Sequence, residues 1–226
     1  MSELLSTTAD HTVLEREPPE VMGANLRVGS RLWASATAFF FFAFLFAYFY
    51  LRSLNSHGLW DPKGVTPPQT IGILVTIAIV LAAALLRLGF RDHVAERRPA
   101  WRIKGAIALV ALFAAVVIQI VGWATQGFGP TDGGYASVYV GWTGFQALFV
   151  LGLAYWAETT LATSIRYRGA QNVRAAADAT REGGDGASPD IDDPLALVRP
   201  ALEAVSFYAV FFAALATIAW VILYLL

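Results

Sequence analysis

The chain has 226 residues, of which 57 % are apolar and only 15 % are charged, and its formal net charge is −1. A soluble domain usually contains about 45–50 % apolar and about 25 % charged residues, so this composition predicts an integral membrane protein. It excludes a basic surface for nucleic acid, and the absence of cysteine excludes disulfides, thiolate zinc sites, iron–sulfur clusters and cysteine nucleophiles.

Five stretches are long and apolar enough to cross a bilayer, which takes about 20 predominantly apolar residues in a helix. None of them contains Lys, Arg, Asp or Glu. Helices are expected because lipid offers no partners to open backbone groups. The predicted fold class is therefore an all-α membrane protein with five transmembrane helices, in which the spans are 32–51, 70–86, 105–124, 138–157 and 204–226.

The segments that flank these spans differ in basic residues. If the N-terminus is cytoplasmic, the cytoplasmic segments hold 14 Lys and Arg residues and the outer segments hold 2. The positive-inside rule therefore predicts that the N-terminus lies in the cytoplasm and the C-terminus lies outside. Tyr and Trp residues near the span ends are predicted to anchor at the headgroups: Trp33, Tyr48, Tyr50, Trp60, Trp101, Trp123, Tyr135, Tyr139, Trp142, Trp220 and Tyr224.

Two polar cytoplasmic segments are predicted: a tail that precedes the membrane domain 31–226, and a linker within that domain. Residues 1–30 form a polar tail without the basic start and apolar core of a cleavable signal peptide, so we expect the first span to act as the insertion signal. Residues 169–194 are rich in Ala, Gly and Asp. This composition is typical of a flexible linker, in which we allow one short helix near 175–177.

Polar residues within or beside the spans are the first candidates for function, because burying them in hydrocarbon is costly. Gln119 and Gln146 are expected to hydrogen-bond between helices, at about 0.6–2 kcal/mol each, with ligand binding as the alternative. Glu158 is predicted to reach the membrane surface or to pair with Arg166, with proton transfer as the alternative. Glu203 is predicted to lie in the first turn of the last helix, where a negative charge suits the helix dipole.

The histidines and methionines all lie outside the spans. His11, His57 and His93 occupy the tail and two loops, and Met1 and Met22 precede the first span. A haem embedded in the membrane needs axial ligands, usually His or Met, on facing helices. We therefore expect this chain to bind no haem or copper, and we predict no catalytic, cofactor-binding or metal-binding residue in it.

A run begins at Thr37 and ends in Tyr-Phe-Tyr-Leu-Arg52, and a second segment reads Pro67-Pro68-Gln69-Thr70. The first resembles the first helix shared by all members of the cytochrome c oxidase subunit III family, and the second resembles the entry to the family's next helix. Residues 119–123, Gln-Ile-Val-Gly-Trp, resemble the family's Gln-x-x-Glu-Trp. Residues 135–149 resemble its Tyr-Gly-Ser … Thr-Gly-Phe-His-Gly-Leu-His signature. With matches in the last helix, the resemblance covers roughly 31–226.

This chain departs from the family at its ionisable membrane residues. Thr37 stands where the family has an intramembrane Glu, and Gln146 and Phe149 stand in place of two histidines. Gly122 replaces a Glu, and Ala213 replaces an Asp. The resemblance therefore implies a fold and a place in a complex, but no proton-uptake role for the missing Glu.

The resemblance implies a non-catalytic subunit of a haem–copper respiratory oxidase, of the five-helix type found in bacterial plasma membranes. A partner, the catalytic subunit, would hold haem and copper, and further oxidase subunits and phospholipid would complete the complex. The complex would pass electrons from cytochrome c to oxygen and translocate protons. The accessory subunit of a nitric oxide reductase and a stand-alone permease or lipid-binding protein are the alternatives.

The resemblance also implies a V-shaped helix bundle. In this arrangement helices one and two pack as a pair against helices three to five, and phospholipid lies in the cleft between the two arms. The candidates for the cleft lining or for contacts between helices are Thr37, Gln119, Gln146, Phe149, Glu158 and Glu203. Ordinary packing surface is the alternative interpretation of the substituted positions.

Overall fold

A computed structural model describes residues 19–55, 57–62, 64–179 and 197–226. Within these residues the protein is all-helical. Its five helices are α1 Pro19–Ser53, α2 Gln69–Val94, α3 Arg98–Thr125, α4 Gly134–Ala179 and α5 Val198–Leu225. All five are long and apolar enough to cross a membrane, which confirms the predicted fold class of an all-α protein with five candidate spans.

Two helices extend well beyond the predicted spans. Helix α1 begins at Pro19, so residues 19–30 of the predicted polar tail are helical. Helix α4 continues to Ala179, so the first part of the predicted linker, 169–179, is helical as well. The rest of both segments lies outside the described residues. Hydropathy marks only the part of a helix that suits hydrocarbon, whereas a helix satisfies its own backbone hydrogen bonds in water as well. The extension of α1 also packs on α5, where a Cβ at Gly23 would lie 3.0 Å from Cγ of Pro200.

The bundle has two chemically different ends. We call the end at which α1, α3 and α5 begin the basic end, and it carries Arg27, Arg87, Arg91, Arg97 and Lys104. There, Trp101 of α3 donates a hydrogen bond of 3.2 Å to Ser164 of α4. We call the opposite end the tyrosine end, and it carries Tyr48, Tyr135, Tyr139 and Tyr224. The positive-inside prediction places the basic end in the cytoplasm.

Helix α5 lies at the centre of the packing and contacts α1, α2 and α4. Its inward face carries Ala209, Ala216 and Ala219, which are fully buried. Small side chains let neighbouring helices approach closely, which is how helices associate in lipid. The remaining interfaces join α2 to α3, α3 to α4, and α1 to α4.

The predicted pairing of helices one and two is wrong. In the described residues, α1 and α2 share no substantial interface, because α5 packs against both of them. The short turn 95–97 forces α2 to pack beside α3, whereas the longer connection 54–68 allows α2 to begin away from α1. The bundle therefore does not divide into the two arms that the V-shape requires.

Most aromatic residues near the span ends are inside the bundle. Seven of them are buried: Tyr48, Trp60, Trp101, Tyr135, Tyr139, Trp142 and Tyr224. For these residues the prediction of headgroup anchoring is wrong, because their rings fill the gaps where helix ends and loops meet. Trp33 and Tyr50 are 50 % and 51 % exposed, which leaves both available to an interface with lipid headgroups.

Candidate functional site

Thr37, where the resemblance places an intramembrane Glu, is fully buried between α1 and α5. Its hydroxyl donates to the Trp33 carbonyl at 2.8 Å and lies 3.0 Å from the hydroxyl of Tyr208. Because a threonine hydroxyl has one proton, Tyr208 is the donor in the second bond. The position therefore holds a neutral hydrogen-bonded pair that joins two helices.

Phe149, in place of a family histidine, lies in an aromatic cluster between α1, α4 and α5. Its ring centroid is 5.8 Å from that of Phe40, 6.1 Å from Trp33 and 6.3 Å from Phe212. The edge-on and tilted ring pairs are the arrangements that aromatic quadrupoles favour. Gln146, one turn earlier on α4, is also buried. The interface thus presents aromatic carbon where the resemblance places ionisable groups.

The Thr37–Tyr208 pair and the aromatic cluster form one continuous interface. Phe41 follows Thr37 by one helical turn, and its ring lies 5.9 Å from Phe212. Phe212 in turn lies 6.1 Å from Tyr208. Two of the six sequence candidates, Thr37 and Phe149, are therefore brought together by α5, and a third, Gln146, is buried one turn before Phe149. We call this region the α1–α4–α5 interface.

Gln119 belongs to a separate cluster at the tyrosine end. It is buried on α3 and lies beside the hydroxyl of Tyr139 on α4. The Tyr139 hydroxyl is 2.9 Å from that of Tyr224 on α5, and Tyr135 donates to the Leu223 carbonyl at 2.5 Å. These bonds tie the start of α4 to the end of α5. Gln119 lies beside this link, where its buried side-chain nitrogen has no hydrogen-bond partner in the described residues, and it is not part of the α1–α4–α5 interface.

The two glutamates are surface residues near the basic end. Glu158 is exposed on α4 and forms no ion pair with Arg166 in the described residues. That predicted pairing is wrong, because residues eight apart on one helix are separated by about 12 Å along its axis. Glu203 lies in the second turn of α5, not the first, because the helix begins at Val198. Its carboxylate is 3.7 Å from the guanidinium of Arg27 on α1, and both side chains are largely exposed.

A groove opens between α1 and α4 at the basic end. It has a volume of about 550 Å³. Its walls are Met22, Leu26 and Ser30 of α1, Trp156 of α4, and Leu197 just before α5. Trp156 and Leu197 also border a smaller groove of about 300 Å³, between α4 and α5. Both grooves are mostly apolar, which suits an acyl chain rather than a polar substrate.

None of the six sequence candidates is among the residues that line the larger groove. Sequence reasoning missed Met22, Leu26 and Ser30 because it assigned them to a polar tail. Their spacing of four residues was the available signal, since it places them on one face of a helix. Among the described residues, no group of three or more His, Asp or Glu side chains is placed to hold a metal ion.

Comparison with known proteins identifies the family. The sequence profile of cytochrome c oxidase subunit III matches residues 8–179. The chain is 29 % identical over 134 residues to cytochrome c oxidase subunit 3 of Latimeria chalumnae, an alignment that covers 56 % of this chain and 51 % of that protein. It is 28 % identical over 156 residues to the Carassius auratus protein, with coverage of 66 % and 59 %.

A relative from a fungus gives a similar result. Over 159 residues the chain is 26 % identical to cytochrome c oxidase subunit 3 of Yarrowia lipolytica, which covers 65 % of this chain and 56 % of that protein. The chain thus spans about half to three fifths of the length of these curated relatives. The profile match covers all of α1 to α4, which include five of the six sequence candidates. The protein therefore belongs to the cytochrome c oxidase subunit III family.

Proposed function

We propose that this chain is a non-catalytic accessory subunit of a haem–copper oxidase in a bacterial plasma membrane. The observation that carries the proposal is the family match over 8–179. Membrane placement is supported by five helices of sufficient length and hydropathy. The complex would transfer electrons from cytochrome c to oxygen and translocate protons, and this chain would stabilise the catalytic subunit.

The haem and copper are assigned to the catalytic partner subunit. The three histidines and two methionines of this chain lie outside the predicted spans, whereas a membrane-embedded haem takes its ligands from facing helices. The buried polar side chains at the α1–α4–α5 interface are hydroxyls and an amide, which hold helices together but do not bind iron or copper tightly.

Phospholipid binding by the accessory subunit is the second part of the proposal. The support for it is the mostly apolar groove of about 550 Å³ between α1 and α4. This location differs from the cleft expected from the sequence, because the residues on its walls come from the helical extension of α1. An acyl chain there would fill the open space between α1 and α4 at the basic end.

Affinity capture tests the assignment to an oxidase. The tagged chain is extracted from its native membranes in mild detergent, and the eluate is examined for haem absorbance and for larger partner chains. We expect a haem-bearing partner in constant ratio to this chain and oxygen consumption with reduced cytochrome c. Turnover of nitric oxide instead of oxygen would assign the complex to a nitric oxide reductase. Capture of this chain without a haem-bearing partner would refute the proposal.

A further inference from the structure

The outer side of α2 carries an apolar groove that the bundle leaves open. It has a volume of about 680 Å³. The groove lies between α2 and α5. Its principal lining residues are Ile73, Ile77, Val80 and Ala84 of α2 and Thr217 and Trp220 of α5. Ile77 is 56 % exposed, so the groove opens to the surroundings of the bundle rather than to its core.

The face of α2 that lines the groove ends in two arginines. The steps from Ile73 through the groove to Arg87 and Arg91 alternate between four and three residues, which keeps all of these positions on one face of a helix. Both arginines are exposed. They lie at the basic end, immediately after the last apolar residues of the predicted span 70–86. One helical face is thus apolar along the groove and positively charged at its end.

The local contacts hold this charge at the rim of the groove. Cζ of Arg87 lies 5.6 Å from the ring centroid of Phe90, one turn closer to the basic end, in a cation–π arrangement. The nearby carboxylate of Asp92 is paired with Lys104. Neither Arg87 nor Arg91 forms an ion pair with a carboxylate in the described part of the chain. The positive charge at the rim is therefore not neutralised by this part of the protein.

We propose that this face of α2 binds one anionic phospholipid, with an acyl chain in the groove and the phosphate on Arg87 and Arg91. From Ile73 to Ala84 the groove runs about 16 Å along the helix axis. That length is about half of the ~30 Å hydrocarbon core, which is the depth of one leaflet. Lys and Arg beside a membrane attract anionic lipid by about 1 kcal/mol each.

A phospholipid fits the groove better than a helix of a partner subunit does. A helix laid along this face would cover the two arginines and would have to supply a carboxylate at the right depth, since a buried charge without a counter-charge is costly. In an anionic phospholipid, the negative charge lies on the headgroup phosphate, at the end of the apolar chains. The inference goes beyond the proposed function, because it requires a membrane but no particular partner subunit.

The test counts the lipids that stay bound to the full-length chain, captured with any partner subunits. The protein is placed in nanodiscs of phosphatidylcholine with increasing phosphatidylglycerol, and retained lipids are counted by native mass spectrometry after mild extraction. We expect the double variant R87Q/R91Q to need about 30-fold more phosphatidylglycerol for equal retention. Each arginine attracts anionic lipid by about 1 kcal/mol, and the loss of both corresponds to that change in affinity. The matched control R31Q/R199Q removes two exposed arginines from other helices at the same end and should bind as the parent does.

A second variant tests the groove without changing charge. Ala84→Trp fills the apolar space and should reduce phosphatidylglycerol retention, although both arginines remain. Equal retention by R87Q/R91Q and the parent would overturn the proposal. Equal retention of phosphatidylcholine and phosphatidylglycerol by the parent would also overturn it. So would an equal loss in R31Q/R199Q, because binding would then follow total surface charge rather than this face of α2.

Discussion

The hydroxyls of Thr37 and Tyr208 lie 3.0 Å apart, and both side chains are fully buried between α1 and α5. The resemblance places a glutamate at the position of Thr37, and in this chain a neutral pair takes its place. A hydroxyl pair can be buried at far lower cost than a charge, because each group keeps a hydrogen-bond partner. The pair therefore joins the peripheral helix α1 to the central helix α5 and provides no site for proton uptake.

The burial of Thr37 predicts opposite outcomes for two substitutions. Thr37→Lys should lower the yield of the captured complex, because a charge buried between helices without a counter-charge is costly. Thr37→Glu should be accepted, since a protonated carboxyl can accept the hydrogen bond from Tyr208 and restores the family residue. Yield is measured as haem absorbance per captured chain. Parental yield from the lysine variant would show that position 37 is not buried in the assembled complex.

A double-mutant cycle measures the contribution of the hydrogen bond between Thr37 and Tyr208 to stability. Tyr208→Phe and Thr37→Val each remove one hydroxyl and keep nearly the same shape. We expect a coupling energy of about 0.6 kcal/mol, and no more than about 1.7 kcal/mol, which is the range for hydrogen bonds between membrane helices. The measurement is the free energy of unfolding in a detergent titration. Strictly additive losses would mean that the two hydroxyls do not interact.

A methyl group added at Gly72 is predicted to disrupt helix packing. A Cβ on Gly72 would lie 2.6 Å from Cε2 of Tyr224, whose hydroxyl bonds Tyr139. Gly72→Ala should therefore cost about 1–3 kcal/mol through overpacking. Gly144 is the matched control, because a Cβ there would meet no atom within 4 Å. Gly144→Ala should leave the melting temperature unchanged or raise it slightly, since alanine favours helix over glycine.

The aromatic cluster predicts different effects for two phenylalanines on neighbouring helices. Phe149→Ala removes a ring that packs on Trp33, Phe40 and Phe212, and should cost at least about 1 kcal/mol in lost ring pairs. Phe39→Ala is the control, because Phe39 is 76 % exposed. The melting temperature of the purified chain should fall for the first variant and stay near the parental value for the second. Equal values for both would contradict the assigned packing.

The sequence predicts little about which helices are neighbours, and the physical reason is the solvent. In water, a helix shows its buried face by an apolar stripe. In lipid, the exposed face is apolar as well, so Phe39 at 76 % exposure and Phe41 at 5 % exposure look alike in the sequence. Composition and periodicity therefore do not predict that α1 packs against α5 rather than against α2.

By itself, the sequence determined the membrane class, the five helices and the family, because hydropathy and short motifs are local properties of the chain. Only the tertiary structure decided that Thr37 meets Tyr208, that Glu203 lies beside Arg27, and that α5 completes an apolar groove along α2. Those relationships depend on residues far apart in the chain, and on helix ends that continue past the hydrocarbon boundary. They follow from packing around α5, which no single segment specifies.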